Sequence, residues 1–165
     1  MCSRPENPQE HANSSDSLRF RDAYPSDQGV VRQTLQEGNL SFHVTNESDR
    51  CASGQVGYTR ASVCERGGEI VGVLQWRNLG EEAEILDLAV RIAHRRQGIA
   101  SFLLREFLPL TQKLAVRQVF LEVRESNAAA VSLYRSFGFT ISGRRENYYH
   151  HPDEAALLLS LKIPG

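Results

Sequence analysis

Two apolar runs of strand character, "AEILDLAV" (Ala83 to Val90) and "RQVFLEV" (Arg117 to Val123), flank one stretch of helical period. No other feature constrains the fold of this chain as much. The intervening "GIASFLLREFLPLTQKLA" is apolar at Ile99, Phe102, Leu103, Phe107, Leu110 and Leu114, the three-and-four spacing of a helix lying on a sheet. A strand, a crossover helix and a second strand in one sheet place the two strands parallel, with a right-handed connection. Pro109 lies inside the helical stretch. Because proline lacks an N–H and crowds the preceding turn, a kink or 3₁₀ break is expected between Arg105 and Pro109.

The remaining segments extend this unit into a single α/β domain. "LRFRDA" (Leu18 to Ala23) alternates as a strand does. "YPSDQGVVRQTLQEG" offers Ser26 or Asp27 as an N-cap, apolar Val30, Val31 and Leu35, and Gly38 as a stop, a short helix. "VGYTRASVCE" and "EIVGVLQWR" flank "RGG" as a hairpin. "SNAAAVSLYRSFGF" predicts a helix capped by Ser126 and ended by Gly138, and two last strands, "FTISGRR" and "AALLLSLKI", flank a loop "ENYYHHPDE". The expected architecture is one mixed, mostly antiparallel sheet with flanking helices over 18–165. Residues 1–17, rich in Ser, Asn, Pro and Glu, read as a disordered tail, and 39–55 as a loop or a loosely held substrate-side segment.

Composition excludes several function classes. With 19 basic and 20 acidic residues the formal charge is −1, and no basic stripe is present, so nothing recruits nucleic acid or an anionic membrane surface. Cys2, Cys51 and Cys64 are odd in number and form no CxxC pair, which argues against a disulfide framework or a zinc site, and no metal is expected. The N-terminus has no apolar signal core, and "AALLLSLKI" is too short to span a bilayer, so a cytoplasmic protein is expected.

The chemistry concentrates where the first strand of the crossover meets its helix, at "HRRQGIA" (His94 to Ala100). The first amides of a helix have no intrahelical partner and the helix dipole is positive there, so a glycine-led helix start after a strand welcomes a phosphate. The motif is neither a GxxxxGK[ST] loop nor a GxGxxG turn, so alone it fits a plain turn glycine as well as a pyrophosphate seat. In "VFLEVR", Glu122 shares a strand face with Phe120 and Arg124, and a carboxylate there is costly to bury unless paired or hydrated. Glu122 therefore reads either as a working carboxylate or as the partner of an arginine. Tyr134 reads either as a proton donor or as core. Asp87, on one face with Ala89, is either a second acidic group near a substrate amine or a surface or loop-capping carboxylate.

Taken together, "ILDLAV", "RRQGIA", "VFLEVRESNAAAVSLYRSFGF" and "NYY" resemble the Gcn5-related N-acetyltransferases, and within them the bacterial ribosomal-protein-alanine N-acetyltransferases, over about Glu84 to Lys162. "RRQGIA" matches that family's Q/R-x-x-G-x-G/A signature from Arg95 to Ala100. The resemblance implies acetyl-CoA as cosubstrate, its pyrophosphate held by the backbone of Arg95, Arg96, Gln97, Gly98, Ile99, Ala100 and Ser101, with Arg95 and Arg96 as helpers. It implies that Leu88, Ala89 and Val90 pair with the pantetheine arm at a splay between the two parallel strands, with Asn127 and Tyr134 as further cofactor contacts. Glu122 and Tyr134 fall on the general base and general acid, and Tyr148 and Tyr149 on a loop closing over a peptide N-terminus. The family favours Asn where Asp87 stands.

The expected function is thus acetyl transfer from acetyl-CoA to a protein N-terminal α-amine, conceivably the N-terminal alanine of a ribosomal protein, by direct attack on the thioester. An α-amine, with pKa about 7.7 to 8.0, is roughly one-quarter neutral near pH 7.4, whereas lysine, at about 10.4, is neutral only about one part in a thousand. A carboxylate acting through water is enough of a base for the former. Two alternatives stay open: transfer to a small-molecule amine, and a non-catalytic acyl-CoA-binding regulatory domain. Monomer and homodimer are equally compatible with the sequence.

Overall fold

The computed structural model describes residues 17–38, 40 and 57–164. The expected tail, apart from Ser17, lies outside the described residues, as do Cys2, Cys51 and nearly all of the 39–55 segment.

The elements in chain order are β1 (Leu18–Asp22), α1 (Gln28–Glu37), β2 (Thr59–Arg66), β3 (Glu69–Asn78), β4 (Glu82–Val90), α2 (Ile99–Lys113), β5 (Gln118–Arg124), α3 (Ala128–Ser136), β6 (Thr140–Tyr149) and β7 (Glu154–Lys162). They build one seven-stranded sheet in the order β1-β2-β3-β4-β5-β7-β6. The crossover behaves as its spacing requires: β4 and β5 are the parallel pair, and the other neighbours are antiparallel.

Helices cover both faces. On one, α2 and α3 bury Ile99, Leu103, Leu104, Phe107 and Tyr134 against Leu74, Trp76, Ile85, Leu121 and Leu159, with Phe107 edge-on to Trp76 at 5.2 Å. On the other, α1 buries Val31 and Leu35 against Ala61, Val63, Val73 and Ala89. The side of each β4 residue is set by an irregularity in the ladder: Trp76 pairs with Ile85 but Gln75 with Asp87, so Leu86 is an extra residue. Before it, Ala83 and Ile85 belong to the α2/α3 core; after it, Ala89 belongs to the α1 core. Asp87, two residues from Ala89, faces the α1 side and is 9% exposed. The surface or loop-capping reading of Asp87 is therefore wrong, because the extra residue turns it inward from mid-strand.

Four local expectations are also corrected. α2 is α-helical throughout from Ile99 to Lys113 with Pro109 inside it, so the 3₁₀ break is absent. Pro109 and Arg105, whose carbonyl loses a partner, are both exposed, so the loss falls on the solvent side of the helix. α1 is preceded by a 3₁₀ turn, Pro25–Asp27, and the Asp27 carboxylate accepts from the Tyr24 N–H (2.7 Å) and from Arg21 (2.6 Å) instead of capping α1. The cap of α3 is Asn127, whose Oδ1 accepts from the Ala130 N–H at 3.1 Å, and not Ser126. Finally, "ENYY" is not loop: β6 continues to Tyr149, and only 150–153 turn.

Candidate active site

At the end of β4 the chain makes a 3₁₀ turn over Ile92–His94, passes Arg96 (φ 62°) and Gly98 (φ 78°), and enters α2. A Cβ built on Gly98 would meet nothing within 4 Å, so glycine serves the left-handed backbone here rather than a crowded neighbour. The first bond of the α2 ladder runs from the Phe102 N–H to the Gly98 carbonyl (2.9 Å). The amides of Ile99, Ala100 and Ser101 therefore precede the ladder and face out of the positive end of a fifteen-residue helix. Gly72 on β3 sets how closely that end approaches the sheet, since a Cβ there would lie 2.8 Å from Ile99 Cγ2.

The side chains around this turn mostly look inward. Arg95 donates from Nε to the Val90 carbonyl (3.1 Å) and from Nη2 to the Glu37 carbonyl (3.0 Å), tying β4 to the end of α1. These two carbonyls take up Nε and Nη2 of its guanidinium. Gln97 accepts from Arg66 Nη1 (2.5 Å) and donates to the Ala93 carbonyl (3.3 Å). Arg91 pairs with Glu69 and, at 3.8 Å, with Glu37, which also accepts from the Ile92 N–H. Arg96 is exposed.

Beside this turn the sheet opens. The β4–β5 register runs only from Glu82↔Gln118 to Ile85↔Leu121, although β4 continues to Val90 and β5 to Arg124. Leu88, Ala89 and Val90 thus present a strand edge with no β5 residue in register. Val119, Leu121 and Val123 lie in the α2/α3 core, so Glu122 turns to the α1 side, the same side as Asp87.

Glu122 is held: Arg145 Nη1 lies 2.7 Å from its Oε1, and the Tyr148 phenol donates a hydrogen bond to it. The arginine pairing anticipated for Glu122 is present, on a side chain that keeps 20% exposure. Tyr134 packs edge-on to Phe139 at 5.6 Å, while its hydroxyl feels groups across the opening. Burial, the Asp87 carboxylate and Tyr149 all push that phenol well above the ordinary tyrosine range. Burial alone pushes Asp87 up to about 7. Tyr148 and Tyr149 pack edge-to-face at 5.1 Å, with Arg145 over the first ring and Arg124 over the second at 4.2 Å. Glu154 fixes Arg124 (3.2 Å) and accepts from the Ser126 N–H (2.5 Å), steadying the segment that leads into α3.

Sequence reading missed Arg145, Arg124 and Glu154 as the braces of this cluster. Arg145 lies on an exposed strand, and the pairing of β7 between β5 and β6 that brings it to Glu122 has no local signature. His150 and His151 are exposed, with His150 Nδ1 3.1 Å from Asp153. No group of three metal-ligating side chains occurs among the described residues.

A parted parallel strand pair stands beside a glycine-led helix start in a mixed sheet of this order. The acetyltransferase (GNAT) family pattern matches residues 23–139, and the chain belongs to that family. It is similar to the [ribosomal protein bS18]-alanine N-acetyltransferase of Escherichia coli K12, 40% identical over 85 residues that make up 50% of this chain and 57% of the relative. It is likewise similar to the N-alpha-acetyltransferase RimI of Mycobacterium tuberculosis, 40% identical over 87 residues, 50% of this chain and 53% of that protein. These matches span little more than half the length of either relative. The crystal structure of the ribosomal-protein-S18-alanine N-acetyltransferase from Escherichia coli superposes with a TM-score of 0.77 at 27% identity, covering 90% of this chain and 96% of that one.

Proposed function

We propose that the protein transfers the acetyl group of acetyl-CoA to the α-amine of a protein N-terminus, with the N-terminal alanine of a ribosomal protein as the leading acceptor. The observation that carries the reading is the opening beyond Ile85 and Leu121, with the Gly98 helix start at one end and Glu122, Tyr134, Tyr148 and Tyr149 around it. The matched relatives, named for transfer to a protein α-amine, support the acceptor class.

Acetyl-CoA supplies an activated acyl group as a thioester. The residues present fit it: amides of Ile99 to Ser101 that precede the helical ladder suit a pyrophosphate, and the strand edge at Leu88, Ala89 and Val90 suits an extended, amide-bearing arm. Gly98 permits the turn, Arg96 and Gln97 flank it, and Asn127 lies at the start of α3 beyond the end of β5.

The neutral amine forms the N–C bond as the C–S bond breaks. Glu122, partly exposed between Arg145 and Tyr148, takes the amine proton through a water, and Tyr134 gives its proton to the departing sulfur. Tyr134 suits that part because its environment keeps it protonated over the whole neutral and mildly alkaline range. The amides of the β4 edge are the donors for the developing oxyanion. Tyr148 and Tyr149, braced by two arginines, line the acceptor side.

The test is an acceptor panel: peptides beginning Ala, Ser or Met, peptides with a blocked N-terminus and an internal lysine, and small amines. The reading expects turnover on the free N-termini, best with Ala. Preference for lysine or for a small amine overturns the acceptor assignment, and acetyl-CoA binding without transfer to any amine overturns the enzymatic one.

A further inference from the structure

Asp87 is a buried acid that the acid–base pair above does not use. It stands two residues past Ile85, where the β4–β5 register ends, and faces the same side of the opening as Glu122. Its carboxylate acts electrostatically on Tyr134 of α3 and on Tyr149 of β6, and Tyr149 also lies in the field of Glu122. On β3 its register partner is Gln75, which is uncharged, and the side chains that α1 buries on that face, Val31, Thr34 and Leu35, do not titrate. The two carboxylates thus stand on opposite strands of the opening, with both tyrosines of the proposed acceptor side and acid coupled to Asp87.

We infer that Asp87 is an acceptor-binding residue, whose carboxylate accepts a hydrogen bond from the incoming α-amine and fixes that nitrogen between Glu122 and Tyr134; this rests on the acetyltransferase reading given above. Burying a carboxylate disfavours its charge, and an ammonium arriving beside it offsets that cost, so the site prefers a cationic acceptor to a neutral one of equal shape. Once the ammonium has lost one proton to Glu122 it is the neutral amine that attacks, and one of its two remaining N–H bonds still donates to Asp87 and holds the lone pair in place. Binding therefore strengthens as pH rises and Asp87 ionises. It weakens again where the amine itself, pKa about 8, loses its charge.

The experiment measures kcat and KM of the full chain and of Asp87→Asn from pH 6 to 9 on a peptide beginning with Ala, and acetyl-CoA affinity by calorimetry. In Asp87→Asn the KM for the peptide is expected to rise at least tenfold, kcat to fall by far less, and acetyl-CoA affinity to stay within about twofold. The fall in wild-type KM between pH 6 and 8 is expected to vanish in the variant. An unchanged KM and pH profile overturns the inference, as does an equal loss of acetyl-CoA affinity, which marks a structural role. A second measurement uses wild-type protein alone: a peptide with an α-hydroxyl in place of the amine should inhibit at least tenfold more weakly than the amine peptide binds at pH 7.5. Equal binding overturns the inference even if the variant does not fold. Wild-type protein inert toward every amine overturns the acetyltransferase reading and the inference with it.

Discussion

Replacing Asp87 by Asn should make the free protein more stable, and by an amount that grows with pH. The carboxyl has a reference pKa of 3.8 and is pushed up to about 7 by burial in the folded state. A group whose folded pKa is raised contributes stability that is complete below the unfolded value and is lost as pH rises through the folded one. The difference of about 3 units, at about 1.4 kcal/mol per unit, makes a total loss of about 4 kcal/mol, reached above pH 7. Part of it has already gone by pH 5, so about 2–3 kcal/mol falls between pH 5 and 9. Asn is isosteric and does not titrate. In thermal unfolding followed by circular dichroism, the Tm advantage of Asp87→Asn should therefore widen by roughly 5–10 °C from pH 5 to pH 9. A gap that stays constant, or narrows toward alkaline pH, would refute the reasoning, because it would mean that Asp87 ionises as readily in the native state as in the unfolded one.

Two further perturbations separate the parts of the site. Gly98→Ala forces a side chain onto a backbone at φ 78°, costing about 1–2 kcal/mol, and should weaken acetyl-CoA binding about tenfold by calorimetry, whereas Arg95→Ala should lower Tm and leave that affinity within about twofold. Glu122→Gln and Tyr134→Phe should each reduce peptide turnover by about 10²-fold or more with acetyl-CoA still bound; wild-type rates in both would end the acid–base assignment.

Much of this fold was legible because its signals are local. The crossover and the strand count follow from periodicity and turn chemistry within short windows, and β4, α2 and β5 lie where that spacing puts them. What was not legible depends on register and on distant pairing. One extra residue at Leu86 decides which face Asp87 takes, and neither the composition nor the alternation of "EILDLAV" shows it. The insertion of β7 between β5 and β6 brings Arg145 to Glu122, and that order is written nowhere near either residue. The tie that Arg95 makes between the end of α1 and β4 through two carbonyl oxygens likewise has no local signature. Ser126 was the expected cap of α3, but the side chain that reaches the Ala130 amide is that of Asn127.

The most direct test of the account uses one peptide carrying both a free N-terminal alanine and an internal lysine, incubated with acetyl-CoA and the full chain near pH 7.4. Tandem mass spectrometry then locates the transferred group. The account predicts a single acetyl group on the α-nitrogen, with the lysine unmodified until the N-terminus is consumed; acetyl groups on the lysine alone, or on neither nitrogen, would contradict it.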